Sequence, residues 1–143
     1  MPTEVLSGLW FGSIDDLKHP LFFDDMNINI IVNLTDCDFK IQKKNVSYIN
    51  LPLSSHNIYS LTGLIFKLVD NIHNNLKDGL NNIFIYCYNG LIFSPLMIGI
   101  YMIKYGSITK YDVPVILKSK NNDVLISIDE VKRSIHISII NKT

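Results

Sequence analysis

The sequence predicts an α/β fold, a central, mostly parallel β-sheet flanked by α-helices, with a cysteine loop leading into a buried helix. Three observations predict it. Runs rich in β-branched residues at 27–34, 46–51 and 83–88 have strand character, and the first, "NINIIVNL", is the pattern of a strand buried on both faces. Between the second and third runs, Leu61, Leu64, Ile65, Leu68, Val69, Ile72 and Leu76 recur at helical spacing along one face. Strands that alternate with helices favour parallel pairing, because each crossover returns the chain to the same end of the sheet.

The elements follow in order. Residues 9–12, "LWFG", read as a first strand with Trp10 and Phe11 in the core, and Ser13 with Asp15 and Asp16 opens a capped helix or turn. Thr35-Asp36 ends the strand at 27–34, Pro52 stops the one at 46–51, and Asp78-Gly79 closes the helix over 61–76. After the strand at 83–88, Asn89-Gly90 is a left-handed turn pair, and Ser94 with Pro95 behind it reads as an N-cap with proline at the first helical position. That helix should run from Pro95 to about Tyr105, closed by Gly106, and it is apolar nearly all round, which predicts a buried, central position. Pro114 shortens or kinks any helix between 107 and 118. Ser127 and Glu130 form a capping box, and Ile128, Val131, Ile135 and Ile139 give the last helix a core face.

Composition narrows the function. The 143 residues suit a single domain spanning 1–143, and 48% are apolar, enough for a substantial core. Thirteen cations balance thirteen acids, so no basic footprint for nucleic acid and no polybasic run for a membrane surface is present. The longest apolar stretch, 91–103, is too short for a span of roughly 20 residues and is broken by Ser94-Pro95. No charged-then-apolar leader precedes the first strand, so a soluble, cytoplasmic protein is expected. Cys37 and Cys87 make no disulfide framework, no CxxC or His-Cys cluster offers a metal site, and no cofactor is expected. The abundance of Ile and Asn reads as the coding bias of an AT-rich genome, and an origin in a large virus, a poxvirus for example, is an expectation from that bias alone. Twelve of the thirteen cations are lysines, and the one arginine is Arg133.

The stretch "IYCYNGLIFSP", 85–95, carries the chemistry. A strand that ends in a cysteine and passes through a tight loop into a helix N-terminus is a device for activating a thiolate. The helix dipole and the unpaired N–H groups of the loop favour negative charge and cradle an anion such as phosphate. The bland reading of the same residues is a buried structural cysteine on a central strand, since free cysteine packs as a small hydrophobe.

Over nearly its whole length the chain resembles a small dual-specificity phosphatase of the cysteine-dependent protein tyrosine phosphatase superfamily. "LWFGSIDDL" resembles the family's first strand and turn, "IIVNLTD" its core strand, and "VSYINLPL" the strand before the general-acid loop. The helix at 61–76, the segment "IFIYCYNGLIFS" and the apolar helix behind it complete the order. The family's signature is H-C-x-x-G-x-x-R-[ST], in which the cysteine attacks phosphorus, the arginine clamps the phosphoryl oxygens, and an aspartate on an earlier loop protonates the leaving oxygen. By that resemblance Cys87 takes the nucleophile's place, Gly90 the glycine's and Ser94 the hydroxyl's. Tyr86 stands where the histidine belongs and Phe93 where the arginine belongs. A phenyl ring donates no hydrogen bond to phosphate and carries no charge. No lysine lies between Lys77 and Lys104, so local rescue is not expected. In the general-acid loop, "LPLSSHNIYS", Ser54 and Ser55 occupy the acid's place, Asp70 belongs to the following helix, and His56 is the one nearby group able to donate a proton near neutral pH.

The resemblance with these departures implies a degenerate member, a pseudophosphatase that is not an enzyme and serves as a protein-binding module, with modulation of host or cellular signalling as the expected role. Phe93, with Leu91 and Ile92, then either fills the former phosphate pocket or presents an apolar protein-binding surface. An unidentified protein partner is expected, with no nucleic acid and no membrane. Some viral members dimerise through an N-terminal extension, which this chain is expected to lack, while a homodimer through exposed apolar surface stays open. The rivals are a weakly active cysteine phosphatase with an atypical phosphate loop, a redox-active thiol protein and a structural or assembly domain. Tyr86 and Tyr88 are expected to pack at the end of the sheet, and Lys118, Lys120, Lys132 and Arg133 to form a solvated basic face.

Overall fold

A computed structural model describes residues 1–135, with side chains through Arg133. Its centre is a five-stranded sheet of order β1-β2-β5-β3-β4, built from β1 (Thr3–Leu6), β2 (Leu9–Ser13), β3 (Ile30–Asn33), β4 (Ser47–Asn50) and β5 (Ile83–Cys87). All neighbours are parallel except β1 and β2, which form an antiparallel hairpin at one edge. That hairpin was not anticipated. It turns through Gly8 at φ +84°, a backbone angle glycine adopts without steric cost.

Period-two alternation divides the side chains between two faces. Leu9, Phe11, Ile30, Val32, Ile83, Ile85 and Cys87 point into the larger core, covered by α2 (Thr62–Leu76), α3 (Phe93–Tyr105), α4 (Val113–Lys120) and α5 (Ile128–Ile135). Ile31, Phe84 and Tyr86 point the other way, into a smaller core closed by a 3₁₀ turn (Ile14–Lys18) and α1 (Pro20–Asp25). There Phe22, Phe23 and Phe84 meet edge to face, with ring centroids 5.0–5.8 Å apart. Strands β3 and β5 are buried on both faces because helices cover both, as their continuous apolar runs require.

Several expectations need correction. The strand at 27–34 begins only at Ile30, because Asn27 takes a left-handed φ of +51° at the end of α1 and Asn29 gives its side chain to Asn81 and Asn82. Helix α1 itself escaped notice, since its six residues carry too few turns to show a period. On α2, Leu64 is 49% exposed and Phe66 is buried in its place, so the core stripe is rotated from the expected one. Trp10 is half-buried rather than core, while Phe11 beside it is fully enclosed. The capping box of α5 forms, with Glu130 N–H donating to Ser127 Oγ at 3.2 Å and Ser127 N–H to Glu130 Oε1 at 3.2 Å. Val131 is buried but Ile128 is partly exposed; the Ile135 side chain and Ile139 lie outside the described residues. Pro114 sits in the first turn of α4, where a missing N–H costs nothing, so of the two expected outcomes the short helix is the one that forms.

Candidate functional site

Strand β5 ends at Cys87 in the middle of the sheet, level with Ser13 at the end of β2. The chain then turns through Asn89 and Gly90. Asn89 Oδ1 accepts the Leu91 N–H at 2.9 Å, and Gly90 alone has the left-handed angle, φ +72°, that was expected of the pair. A Cβ at Gly90 would stand 2.8–3.0 Å from backbone atoms of Gly12 and Ser13, so the loop lies directly against the end of β2. This close approach requires glycine as much as the angle does.

Helix α3 starts earlier than Ser94 predicts. Its N-cap is Ile92, and Ser94 sits inside the first turn with Pro95 behind it. Pro95 is tolerated there because the first N–H groups of a helix have no intrahelical partner. The serine is drawn inward by other demands. Its hydroxyl donates to Gly12 O at 3.0 Å, its N–H donates to Cys87 Sγ at 3.3 Å, and Oγ lies 3.3 Å from the same sulfur. Because the single hydroxyl hydrogen goes to Gly12 O, a thiol at Cys87 donates to Oγ in turn. Cys87 is 2% exposed, and this network holds its sulfur at the N-terminal end of α3. Asn89 Oδ1, 3.9 Å from the sulfur, completes its polar surroundings.

Phe93 opens α3 half-buried and packs against the larger core. Leu91 and Ile92 are likewise half-buried, and Leu91 O accepts the Leu125 N–H at 2.8 Å, which fastens the loop to the segment before α5. Arg133 is on α5, as expected, with its guanidinium 5.9 Å from the centre of the Tyr59 ring. Lys132 similarly lies over Tyr111, so the expected basic face is an aromatic one as well.

Tyr86, which the resemblance sets at the histidine's place, points to the opposite face of the sheet and stacks on Phe84 in the smaller core. Its hydroxyl is buried with no partner in hydrogen-bonding geometry among the described residues, the Thr35 hydroxyl being its polar neighbour. Burial pushes the phenol up to about 12, helped by the nearby Tyr48 and Cys37, with Thr35 acting weakly in the other direction. Tyr88 does not pack as expected: it is half exposed, its hydroxyl donating to Asp36 and lying 3.4 Å from Cys37 Sγ. Sequence reasoning attached no role to Cys37, because the spacing of 37 to 88 says nothing about contact.

The loop after β4 is a compact turn. Asn57 Oδ1 accepts the Ser54 N–H at 2.8 Å, Ser54 Oγ accepts the His56 N–H at 3.2 Å, and Ser55 and His56 are exposed. Asp70 makes an ion pair with Lys104 at 2.5 Å and accepts a hydrogen bond from Tyr105.

No protein-family model and no curated protein matches the sequence. Solved structures do match it. DUSP15 superposes with a TM-score of 0.83 at 16% identity, over 99% of this chain and 90% of its own. Human DUSP28 gives 0.83 at 13% identity, over 99% and 95%. The chain has the dual-specificity phosphatase fold. Human tyrosine phosphatase-like serine/threonine/tyrosine-interacting protein shares that fold too, with a TM-score of 0.80 at 13% identity over 99% and 98%. Among the described residues no group of three or more His, Cys, Asp or Glu is placed to hold a metal, and no helix is long and apolar enough to cross a membrane.

Proposed function

We propose that this chain is a pseudophosphatase, a dual-specificity phosphatase fold that no longer hydrolyses phosphate and acts as a protein-binding module in the cytoplasm, in host cytoplasm if the gene is viral. One observation carries the reading: the residue at the arginine's place, Phe93, is turned onto the larger core, and the chain's one arginine stands over Tyr59 on another helix. Phosphoryl transfer depends on positioning and on charges that neutralise the equatorial oxygens, and a phenyl ring supplies neither. The half-burial of Phe93 favours filling of the former phosphate pocket over an outward apolar patch, because apolar surface gains free energy by leaving water. The name of the serine/threonine/tyrosine-interacting neighbour describes a phosphatase-like protein whose role is interaction, which fits the same use of the fold.

The Cys87 network favours a second reading, a slow cysteine phosphatase with an atypical loop. Ser94 N–H already points at the sulfur, as a nucleophile at a helix N-terminus would need. An activated aryl phosphate, which needs no general acid, separates the two. Wild-type protein, Cys87→Ser and Phe93→Arg are compared under reducing conditions. Equal background rates in wild type and Cys87→Ser support the pseudophosphatase, whereas turnover that disappears in Cys87→Ser overturns it. Gain of turnover in Phe93→Arg alone would add that the loop keeps a nucleophile's shape.

A further inference from the structure

Strand β4 ends the sheet, and its outer edge is open. Ser47 N–H and Leu51 N–H donate inward to Asn29 O and Asn33 O, both at 2.9 Å. By the two-residue alternation of a parallel ladder, the N–H and C=O of Tyr48 and Asn50 point outward. Among the described residues no backbone hydrogen bond reaches them. Edge strands are usually shielded by a charge, a proline or a bulge, and "SYIN" has none of these. Its register with β3 is unbroken from Ile30↔Ser47 to Asn33↔Asn50.

Beside this edge, on the α2 side, lies a groove of about 240 Å³ lined by Ile49, Leu51, Leu64 and Leu68, with Lys67 and Asn71 at its rim. Leu64, the residue that departs from the expected core stripe, is half exposed there. Lysine is the main charge around the edge, where Lys40, paired with Asp38, already lies 4.2 Å over the Tyr48 ring. Lys43 and Lys44 precede β4, Lys67 stands over the groove, and among the described residues none of the three is in an ion pair.

We propose that the β4 edge docks an extended, acidic segment of a partner protein as a sixth strand. Tyr48 and Asn50 supply the main-chain hydrogen bonds, the groove takes one apolar side chain of every second residue, and the lysines pair with carboxylates between or beside them. A second copy of this chain fits less well, because 47–50 brings no carboxylate to Lys67. The site is remote in sequence from the Cys87 loop, and the proposal holds whether or not Cys87 turns over phosphate.

The test titrates the full-length ¹⁵N-labelled protein with synthetic peptides about ten residues long that alternate valine or leucine with glutamate. Controls carry lysine for glutamate, or N-methyl groups on alternate residues along one edge or the other. Binding should shift the Tyr48 and Asn50 amides, weaken about tenfold or more with lysine peptides, and be lost when one edge of the peptide is methylated but not the other. Leu64→Glu and Lys67→Glu, both at exposed positions, should each weaken it by a similar factor with the far-UV spectrum unchanged. The proposal fails if no acidic peptide binds, if N-methylation of either edge is harmless, or if the shifts fall on the Cys87 loop instead. It also fails if sedimentation shows a dimer that Leu64→Glu dissociates, since the edge then belongs to a second copy.

Discussion

Ser94 does three things with two polar groups, and all three are inside the protein. It holds the carbonyl of Gly12, donates its N–H to Cys87 Sγ and accepts from the thiol, so it joins β2, β5 and α3 at one point. Ser94→Ala leaves Gly12 O without that donor in a dry setting and should cost about 1–3 kcal/mol in urea unfolding, while Cys87→Ser, which keeps a donor and acceptor at the sulfur's place, should cost less. Gly90 answers to a different physics. Gly90→Ala combines a positive φ with a 2.8 Å approach to the Gly12 carbonyl carbon, and should lose about 2 kcal/mol or more. Tyr86 is the opposite case, a hydroxyl that gains little where it is. Tyr86→Phe removes a buried polar group without hydrogen-bonding geometry and should raise stability at pH 7 by about 1 kcal/mol.

At the scale of elements, what could be read in the sequence depended on how far each signal reaches along the chain. Strand β5 and helix α2 were legible because apolar periodicity over several turns or alternations overrides single residues; the same signal misplaced only Leu64, where the groove beside β4 replaces a helix neighbour. The capping box at Ser127 and Glu130 was legible because its partners are three residues apart. The start of α3 was not, since Ser94 gives up the cap for partners at Gly12 and Cys87 that no local pattern announces. The hairpin of β1 with β2 and the six-residue α1 are too short to show a period, and the contact of Cys37 with Tyr88 spans too much chain. Within the site, the order of Cys87, Gly90, Phe93 and Ser94 was visible, but the inward turn of Phe93 and the placement of Arg133 over Tyr59 needed the fold. The capping box also gives α5 a test of its own. Ser127→Ala should cost about 1 kcal/mol.

The described residues form one sheet serving two cores of unequal size, and the strands that carry the smaller core are the ones that carry the larger. Phe84 and Ile85 are adjacent on β5, yet they belong to opposite faces, so neither core can lose its side chains without disturbing the strand beneath the other. Cooperative unfolding of the two cores together is therefore expected, and the sequence provides a convenient reporter for it. The only tryptophan, Trp10, packs edge to face on Phe22 beside the smaller core, with ring centroids 5.0 Å apart, whereas most of the helical signal comes from α2 and α3 over the larger one. Tryptophan fluorescence and far-UV circular dichroism should give the same urea midpoint in wild type. In Phe23→Ala, which opens a cavity in the smaller core at a cost of about 3–5 kcal/mol, both midpoints should fall together with the slope unchanged. Alkaline titration follows from the same cooperativity. The Tyr86 phenol is raised from 10 to about 12 in the fold, so the folded state binds its proton more tightly than the unfolded chain does. That contribution to stability is complete below about pH 10 and is lost as pH rises towards 12. Wild type should therefore lose stability across that interval by both probes at once, and Tyr86→Phe should lose measurably less. Fluorescence that falls ahead of the helical signal would instead show that the smaller core comes away while the larger one stands.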